Sequence, residues 1–246
     1  DNTSADGASD KRTSALGFRA KASNAVTTAI GPLTVASGSS AMAVGYGATA
    51  SGSSSSAFGS HGTASADRAL VISNASAANG TEATGQFSVA VGNNAKSALY
   101  GKFAFANGRF SANGDAQIGI FVLRSDTTDA TPEALTSRNN AAAADNQIIL
   151  PNNSAYAFHG TIVARQQASA GTACAAWKIE GLIRREGSAG TTVLVISATT
   201  VLDNTPAWGM ALSADTTNGG LKIEVTGAAA TNIRWVATIN TSEVTY

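Results

Sequence analysis

The sequence predicts an all-β chain in two parts: an N-terminal parallel β-roll (a solenoid with a fourteen-residue repeat), then a C-terminal antiparallel β-sandwich of jelly-roll type. Three observations predict it. Glycine recurs at Gly17, Gly31, Gly45 and Gly59, fourteen residues apart each time, and again at Gly92. The residue before that slot is bulky and apolar in all seven registers. From about residue 115 the period stops, and eight alternating apolar stretches follow one another between turn residues.

The repeat comes first, because a fixed period decides the architecture. After Gly59 the slot falls on Ser73, then on Gly92 nineteen residues later, then on Ala106, so five residues are inserted. The extra residues fall near "NGTEA" (79–83), and the insertion reads as a surface loop. The bulky residues are Leu16, Ile30, Val44, Phe58, Ile72, Val91 and Phe105. Before them stand Ala15, Ala29, Ala43, Ala57, Val71, Ala90 and Ala104. Five positions after the slot stand Ala22, Ala36, Ala50, Ala64, Ala78, Ser97 and Ser111. A flexible Ala/Ser/Gly linker would not hold one bulky position through every register. Fourteen residues are too few for a helical-pair repeat of about thirty or more. They fit two strands of about five residues and two tight turns. The glycine suits a turn that needs positive φ or close backbone approach. Side chains alternate across a strand, so Val44 is expected inward or packed, with Ala43 on a small, smooth opposite face. Coils this thin bury little alone, so lateral association is expected, and a closed homotrimer is its symmetric solution. The expected boundaries are a lead-in over 1–12, the roll over 13–114 and the sandwich, a tip domain, over 115–246.

The strand-type stretches of the second part are 116–124, 146–151, 154–167, 173–186, 191–202, 208–215, 220–228 and 231–246. "PNN", "ASAGT", "EGSAGT", "DNTP" and "DTTNGG" separate them as turns. Within "DATPEALTS" (129–137), Thr131 as N-cap, Pro132 at the first position and Glu133 in the first turn predict a short helix. The stretch 137–146 reads as loop.

Composition excludes several functions. Sixteen basic and sixteen acidic residues leave no net charge, which argues against a nucleic-acid partner, since phosphate binding needs a basic excess. The single cysteine, Cys174, allows neither an intrachain disulfide nor a thiolate cluster. No apolar run reaches the roughly eighteen residues of a membrane-spanning helix. The start has neither Met nor an apolar h-region, so it reads as a fragment or processed product rather than a signal peptide. His61 and His159 lack metal-ligand spacing, and "GYGATASG" has only the first spacing of a dinucleotide fingerprint, which the repeat already explains. No metal and no cofactor are therefore expected. Asp126, Asp129 and Glu133 offer oxygens for a Ca²⁺ loop, and turn and capping roles explain them equally. No carboxylate pair stands out for glycoside hydrolysis, so no enzyme is expected. Arg184, Arg185 and Glu186 read as a solvated strand end or an ion pair between subunits.

The aromatics divide by parity. Trp177 aligns with Ile179 and Ile183, and Trp235 with Ile233, Ala237 and Ile239, so both read as core. Trp208 follows "DNTPA" at a strand start, where partial exposure is expected. His159 is opposite in parity to Phe158 and Ile162, on an outer face or at a chain–chain contact, and His61 sits at a coil corner. Trp208 and His159, with Asp215 and Asn218 of the "DTTNGG" turn, are the candidate receptor-binding residues.

"SSAMAVGYGATASG" (39–52) and "QFSVAVGNNAKSALYG" (86–101) resemble the head repeat of the YadA-type trimeric adhesins, roughly S-V-A-I-G-x-x-A-x-A-x-G. The resemblance runs over about 13–114 and is best at the coils centred on Gly45 and Gly92; the Ser73 coil departs by its lost glycine and its insertion. It implies a left-handed parallel β-roll within a homotrimer, and the same repeat occurs in bacteriophage tail fibres. "NNSAYAFHGTIVARQQA", "AAWKIEGLIRRE" and "IRWVATINTSEVTY" resemble the C-terminal domain of tail-fibre and tailspike proteins of tailed phages, with no motif that transfers residue by residue. A roll followed by a globular β domain, with no heptad stalk or membrane barrel, suits a fibre whose N-terminal side meets other virion proteins and whose C-terminal domain is the exposed tip. The expected function is a trimeric receptor-binding protein of a virion tail, extracellular, holding a host surface polysaccharide or outer-membrane component through tip loops, with avidity from three copies. The alternatives are a bacterial trimeric adhesin head fragment, a structural fibre or capsid decoration protein without a receptor, and a depolymerising tailspike.

Overall fold

Each coil of the N-terminal half carries one strand of three to five residues and one of two residues, as in Met42–Tyr46 and Thr49–Ala50. The second strand is shorter than the five residues expected, because left-handed corners take up chain. Two such corners recur seven residues apart, with φ of 60° at Val26 and 58° at Leu33, then again at Ser40 and Gly47. The computed structural model describes residues 7–76, 80–167, 172–204 and 206–246. Ala78, Asn79, the residues 168–171 of the "ASAGT" turn and Thr205 of "DNTP" lie outside the described residues. The chain divides into two units, Asp1–Ile118 and Gly119–Tyr246.

In the first unit, successive coils pair in parallel and, among the described residues, contribute seven strands to each of two sheets. One sheet runs from Ser14–Leu16 to Phe103–Asn107, the other from Gly7–Ala8 to Lys96–Ser97. Gly7–Ala8 pairs with Lys21–Ala22, so the stack begins inside the stretch expected as lead-in. Ala29, Ala43, Ala57, Val71, Ala90 and Ala104 stand in register through the coils. These residues, not the bulky ones, fill the interior, and Ala43 is 0% exposed. The expected orientation is therefore inverted: Val44 is half-buried on the outside, and Leu16, Ile30, Ile72 and Phe105 are exposed. The reason is space. The roll is so thin that alanine, with one valine at Val71, fills the space between its two sheets. The glycine slot meets both conditions read from sequence: Gly45 has φ +129°, and a Cβ there would lie 1.8 Å from the Gly59 carbonyl oxygen.

The five-residue insertion lies between the strands that end at Asn74 and begin at Glu82, near the expected place. Glu82–Ala83 is already strand, paired with Thr63–Ala64, so Ala83 fills the slot assigned to Ala78. At the other end Ser111 joins no strand; its N–H bonds Asp115 in a turn. The Gln117 side chain closes the last coil instead, its Oε1 accepting from Lys96 N (2.8 Å) and its Nε2 donating to Lys96 O (3.0 Å), as a further strand would.

In the second unit all eight expected stretches contain strands. Ala116–Thr127, Ile233–Thr245, Ser154–Gln166, Cys174–Arg185 and Val193–Asp203 lie in that order in one sheet. A second sheet is built on Gly220–Thr226, with Gly209–Asp215 along one edge and Pro132–Ala134 and Ile148–Ile149 along the other. Pro132–Ala134 replaces the expected helix: its pairing with 224–226 outweighs the helix-start signal, and Asp129 Oδ1 closes a local turn onto Thr131 N (2.7 Å). The stretch 137–146 is loop. Trp235, Ile162, Ile183 and Ile239 from the first sheet and Leu221, Ile223 and Ile148 from the second are fully buried. Trp177 stacks on Trp235 at 5.8 Å between centroids, and Trp235 Nε1 donates to Thr127 Oγ1 (3.0 Å). Tyr156, buried beside Glu243, has its phenol pKa held well above 10.0 by burial and then by that carboxylate. Among the described residues no helix is long and apolar enough to cross a membrane.

Candidate functional site

Three surfaces bear on function. The first is the outward face of the roll. Alternation places two rows there, fourteen residues apart along the stack. One is Leu16, Ile30, Val44, Phe58, Ile72, Val91 and Phe105; the other, two residues earlier, is mixed: Ser14, Thr28, Met42, Ser56, Leu70, Val89 and Phe103. Leu16 is 70% exposed and Ile72 49%. Exposed apolar faces of this kind are candidate association surfaces. At the corners, Tyr46 meets His61 edge-on at 5.1 Å, and Arg68 lies 5.1 Å over the Phe87 ring. His61 is a coil corner, as expected, with φ 52°.

The second surface is a shallow hollow of about 500 Å³ on the outer face of the second unit's larger sheet. His159 lines it with Glu180, Leu182, Ile196 and Ser242. The backbone places them: His159 pairs with Glu180 on one side and Asn240 on the other. His159 is exposed, on the outer face where parity put it.

The other three residues proposed from sequence do not join it. Trp208 is not partly exposed but 5% accessible, its ring 5.7 Å from Trp235. Asn204 folds the preceding loop over it, accepting from Trp208 N (2.9 Å) and donating to Trp208 O (2.8 Å), which is why an exposed strand start was the wrong reading. Asp215 and Asn218 form the turn before Gly220–Thr226, where Asp215 Oδ1 accepts from Thr217 N and Asn218 N, each at 2.9 Å. Burial raises the Asp215 pKa, but the bonds from Asn218 and Thr217 and the Lys222 charge more than offset it, leaving the net value lowered. Its oxygens are thus engaged in holding the turn. Arg184 pairs with Glu186 at the exposed strand end, and Arg185 Nη1 reaches Leu150 O (2.7 Å).

The third surface was only half visible in the sequence. Asp126 and Glu133, but not Asp129, line a hollow of about 330 Å³ with Ser125, Asn139 and Asn140. Asp126 reaches it from the long strand Ala116–Thr127 and Glu133 from Pro132–Ala134. The 137–146 loop supplies the two asparagines. Asn146, itself buried, shapes that loop by donating to Asn140 Oδ1 (2.8 Å) and Ala141 O (2.9 Å). Asn139 is held left-handed (φ 57°) and donates to Asp126 Oδ1 (2.7 Å), while Ser125 Oγ donates to Glu133 Oε2 (2.8 Å). The sequence signal for the missing wall was the "NN" of "SRNNAAAADN", a pair that tolerates left-handed turns. Among the described residues no group of three or more His, Cys, Asp or Glu side chains is placed to hold a metal ion.

The YadA head domain repeat matches this chain at residues 36–61, 79–95 and 83–111, all within the roll. No curated protein matches it. Solved structures that are similar include three phage tailspikes. One is the tailspike protein gp49 of Acinetobacter baumannii bacteriophage Fri1, a capsular polysaccharide depolymerase, with 10% identity over 94% of this chain and 44% of that one and a TM-score of 0.32. Another is the Acinetobacter baumannii phage AM24 tailspike protein, with 9% identity, 95% and 48% coverage and a TM-score of 0.25. The third is the Acinetobacter phage vB_ApiP_P1 tailspike protein, with 11% identity, 92% and 48% coverage and a TM-score of 0.21. The chain spans less than half the length of each. Within the roll, the residues that match the YadA head repeat are 36–61 and 79–111.

Proposed function

We propose that this chain is the shaft and tip of a homotrimeric phage tail fibre or tailspike that attaches a virion to a host surface glycan or outer-membrane receptor. The outward apolar face of the roll carries the reading. Its two rows run through the stack, the alanine interior leaves them nowhere to turn, and threefold closure covers all copies equally. The second unit has its own core, which frees its surface hollows for recognition. The roll is the spacer, other virion proteins sit on its N-terminal side, and the domain 115–246 meets the receptor. Three weak polar sites act together through avidity. Binding is extracellular, needs no cofactor and no nucleic acid, and leaves the ligand unchanged. The YadA-type repeat favours one second reading, the head of a bacterial trimeric adhesin.

Solution mass and adsorption test the proposal. The chain is expected at three times its 24.5 kDa, and the purified protein is expected to bind susceptible cells and block infection. A monomer overturns the trimer. A trimer that neither adsorbs nor blocks overturns attachment. Release of oligosaccharide from host polysaccharide replaces simple attachment with depolymerisation.

A further inference from the structure

We infer that the Asp126–Glu133 hollow is the glycan subsite of the second unit, and that it takes a neutral or amine-bearing sugar rather than an acidic one; this rests on the attachment reading above. At about 330 Å³ it stands at the small end of ligand pockets, roughly 300–1,000 Å³, with room for one sugar ring and its substituents. Its polar groups are only half used. Among the described residues, Asp126 Oδ1 accepts from Asn139 and Glu133 Oε2 from Ser125, while Asp126 Oδ2 and Glu133 Oε1 accept nothing within the chain. Among the described residues the Asn140 side-chain nitrogen donates to no group, while its Oδ1 accepts from Asn146. The hollow thus presents two carboxylate acceptors and an amide donor, beside the methyl groups of Ala134, Ala141 and Ala142. Vicinal hydroxyls flanked by ring C–H groups match that set, because hydroxyls donate to carboxylates more strongly than to neutral acceptors.

Charge sets the class. The lining holds two carboxylates and no basic side chain. Arg138, in the same loop, is paired with Asp145. A uronate or other anionic sugar would bring a third negative charge against two, whereas an ammonium group would be attracted. The site is also prearranged: Asn146 and Thr136 fix the loop, Thr136 Oγ1 donating to Asn140 O (3.0 Å), so little ordering cost is left for binding.

The full chain on a printed array of neutral, amine-bearing and acidic bacterial glycans tests this, alongside adsorption to cells. Wild type is expected to hold neutral or amine-bearing glycans. Glu133→Ala removes one acceptor and Ala141→Phe fills the hollow from an exposed position; each is expected to weaken binding at least about tenfold with the far-UV spectrum unchanged. The double variant Asp126→Asn, Glu133→Gln, isosteric and uncharged, is expected to admit acidic glycans that wild type rejects. Binding confined to acidic glycans, binding unmoved by Ala141→Phe, or adsorption to cells with no glycan bound would each overturn the subsite and leave attachment standing. Neither array binding nor adsorption overturns both.

Discussion

The two units bury their cores in opposite ways. In the roll the buried apolar residues are all alanine except Val71, and the large side chains stand outside. In the second unit Trp235, Trp177, Ile162, Leu221 and Ile223 are inside, and the exposed residues of Ser154–Gln166 are mostly polar or small. Burial contributes roughly 25 cal/mol per Å² of apolar surface, so an alanine interior gains little per coil. The roll depends on backbone pairing between coils. The second unit draws its stability from within. The difference teaches which substitutions each can bear: the roll cannot accept added volume, and the second unit cannot accept lost volume.

The strongest way to break that comparison is Gly45→Val. The new Cβ would lie 1.8 Å from the Gly59 oxygen at φ +129°, so strain and clash together cost on the order of 4 kcal/mol or more. Loss of β signal without loss of the tryptophan emission is the expected outcome, because all three tryptophans, Trp177, Trp208 and Trp235, lie in the second unit. Trp235→Ala should instead change the tryptophan emission and lose the second unit's share of the β signal, leaving the roll's share. It removes a ring that is 0% exposed, at a cost of roughly 3–5 kcal/mol. Thermal melts followed by far-UV dichroism and by fluorescence separate the two; concerted loss of both signals in both variants would show one cooperative unit instead.

Legibility followed the same divide. The period made the coils readable, since a slot that must be glycine or bulky repeats where a linker would not. The direction of the bulky row was not readable: parity says that Ala43 and Val44 face opposite ways, but not which way is in, and only the roll's thickness decides. The left-handed corners at Val26 and Leu33 were invisible because neither residue prefers that conformation; pairing with adjacent coils holds them there. In the second unit the strands and the parity of Trp177 and Trp235 were readable. Trp208 was not, because its burial depends on the Asn204 loop. The Asp126–Glu133 hollow joins segments whose approach is tertiary, and Pro132–Ala134 carried a helix-start signal that sheet pairing overrode.

A middle-sized effect sharpens the role of the outer rows. Replacing Ile30, Ile72 and Phe105 together by serine removes exposed apolar surface, so a lone chain loses little. In a trimer the same change costs about 1.5–3 kcal/mol for each side chain that association buries. The expected result is a shift in sedimentation mass from threefold toward 24.5 kDa at micromolar protein, with tryptophan emission unchanged. An unaltered mass would mean that the rows do not hold the chains together.

The smallest effect lies at the end of the roll. Asp115 closes the turn after the last coil, its carboxylate accepting from the backbone N–H groups of Phe110 (2.9 Å), Ser111 (2.6 Å) and Ala112 (2.7 Å). Burial alone would raise its pKa, but these bonds, with the Ser111 hydroxyl, more than offset that and hold it below the ordinary 3.8. A carboxyl depressed on folding stabilises the fold above its unfolded pKa, and that contribution disappears as pH falls through the folded value. Asp115→Asn keeps the shape but cannot ionise, so it should lower the roll's stability by about 1 kcal/mol near neutrality. The gap between variant and wild type should then close as pH drops below 3.8, read as converging melts of the dichroism signal. A gap that stays constant across that range would mean that shape alone, and not the charge on Asp115, ends the roll.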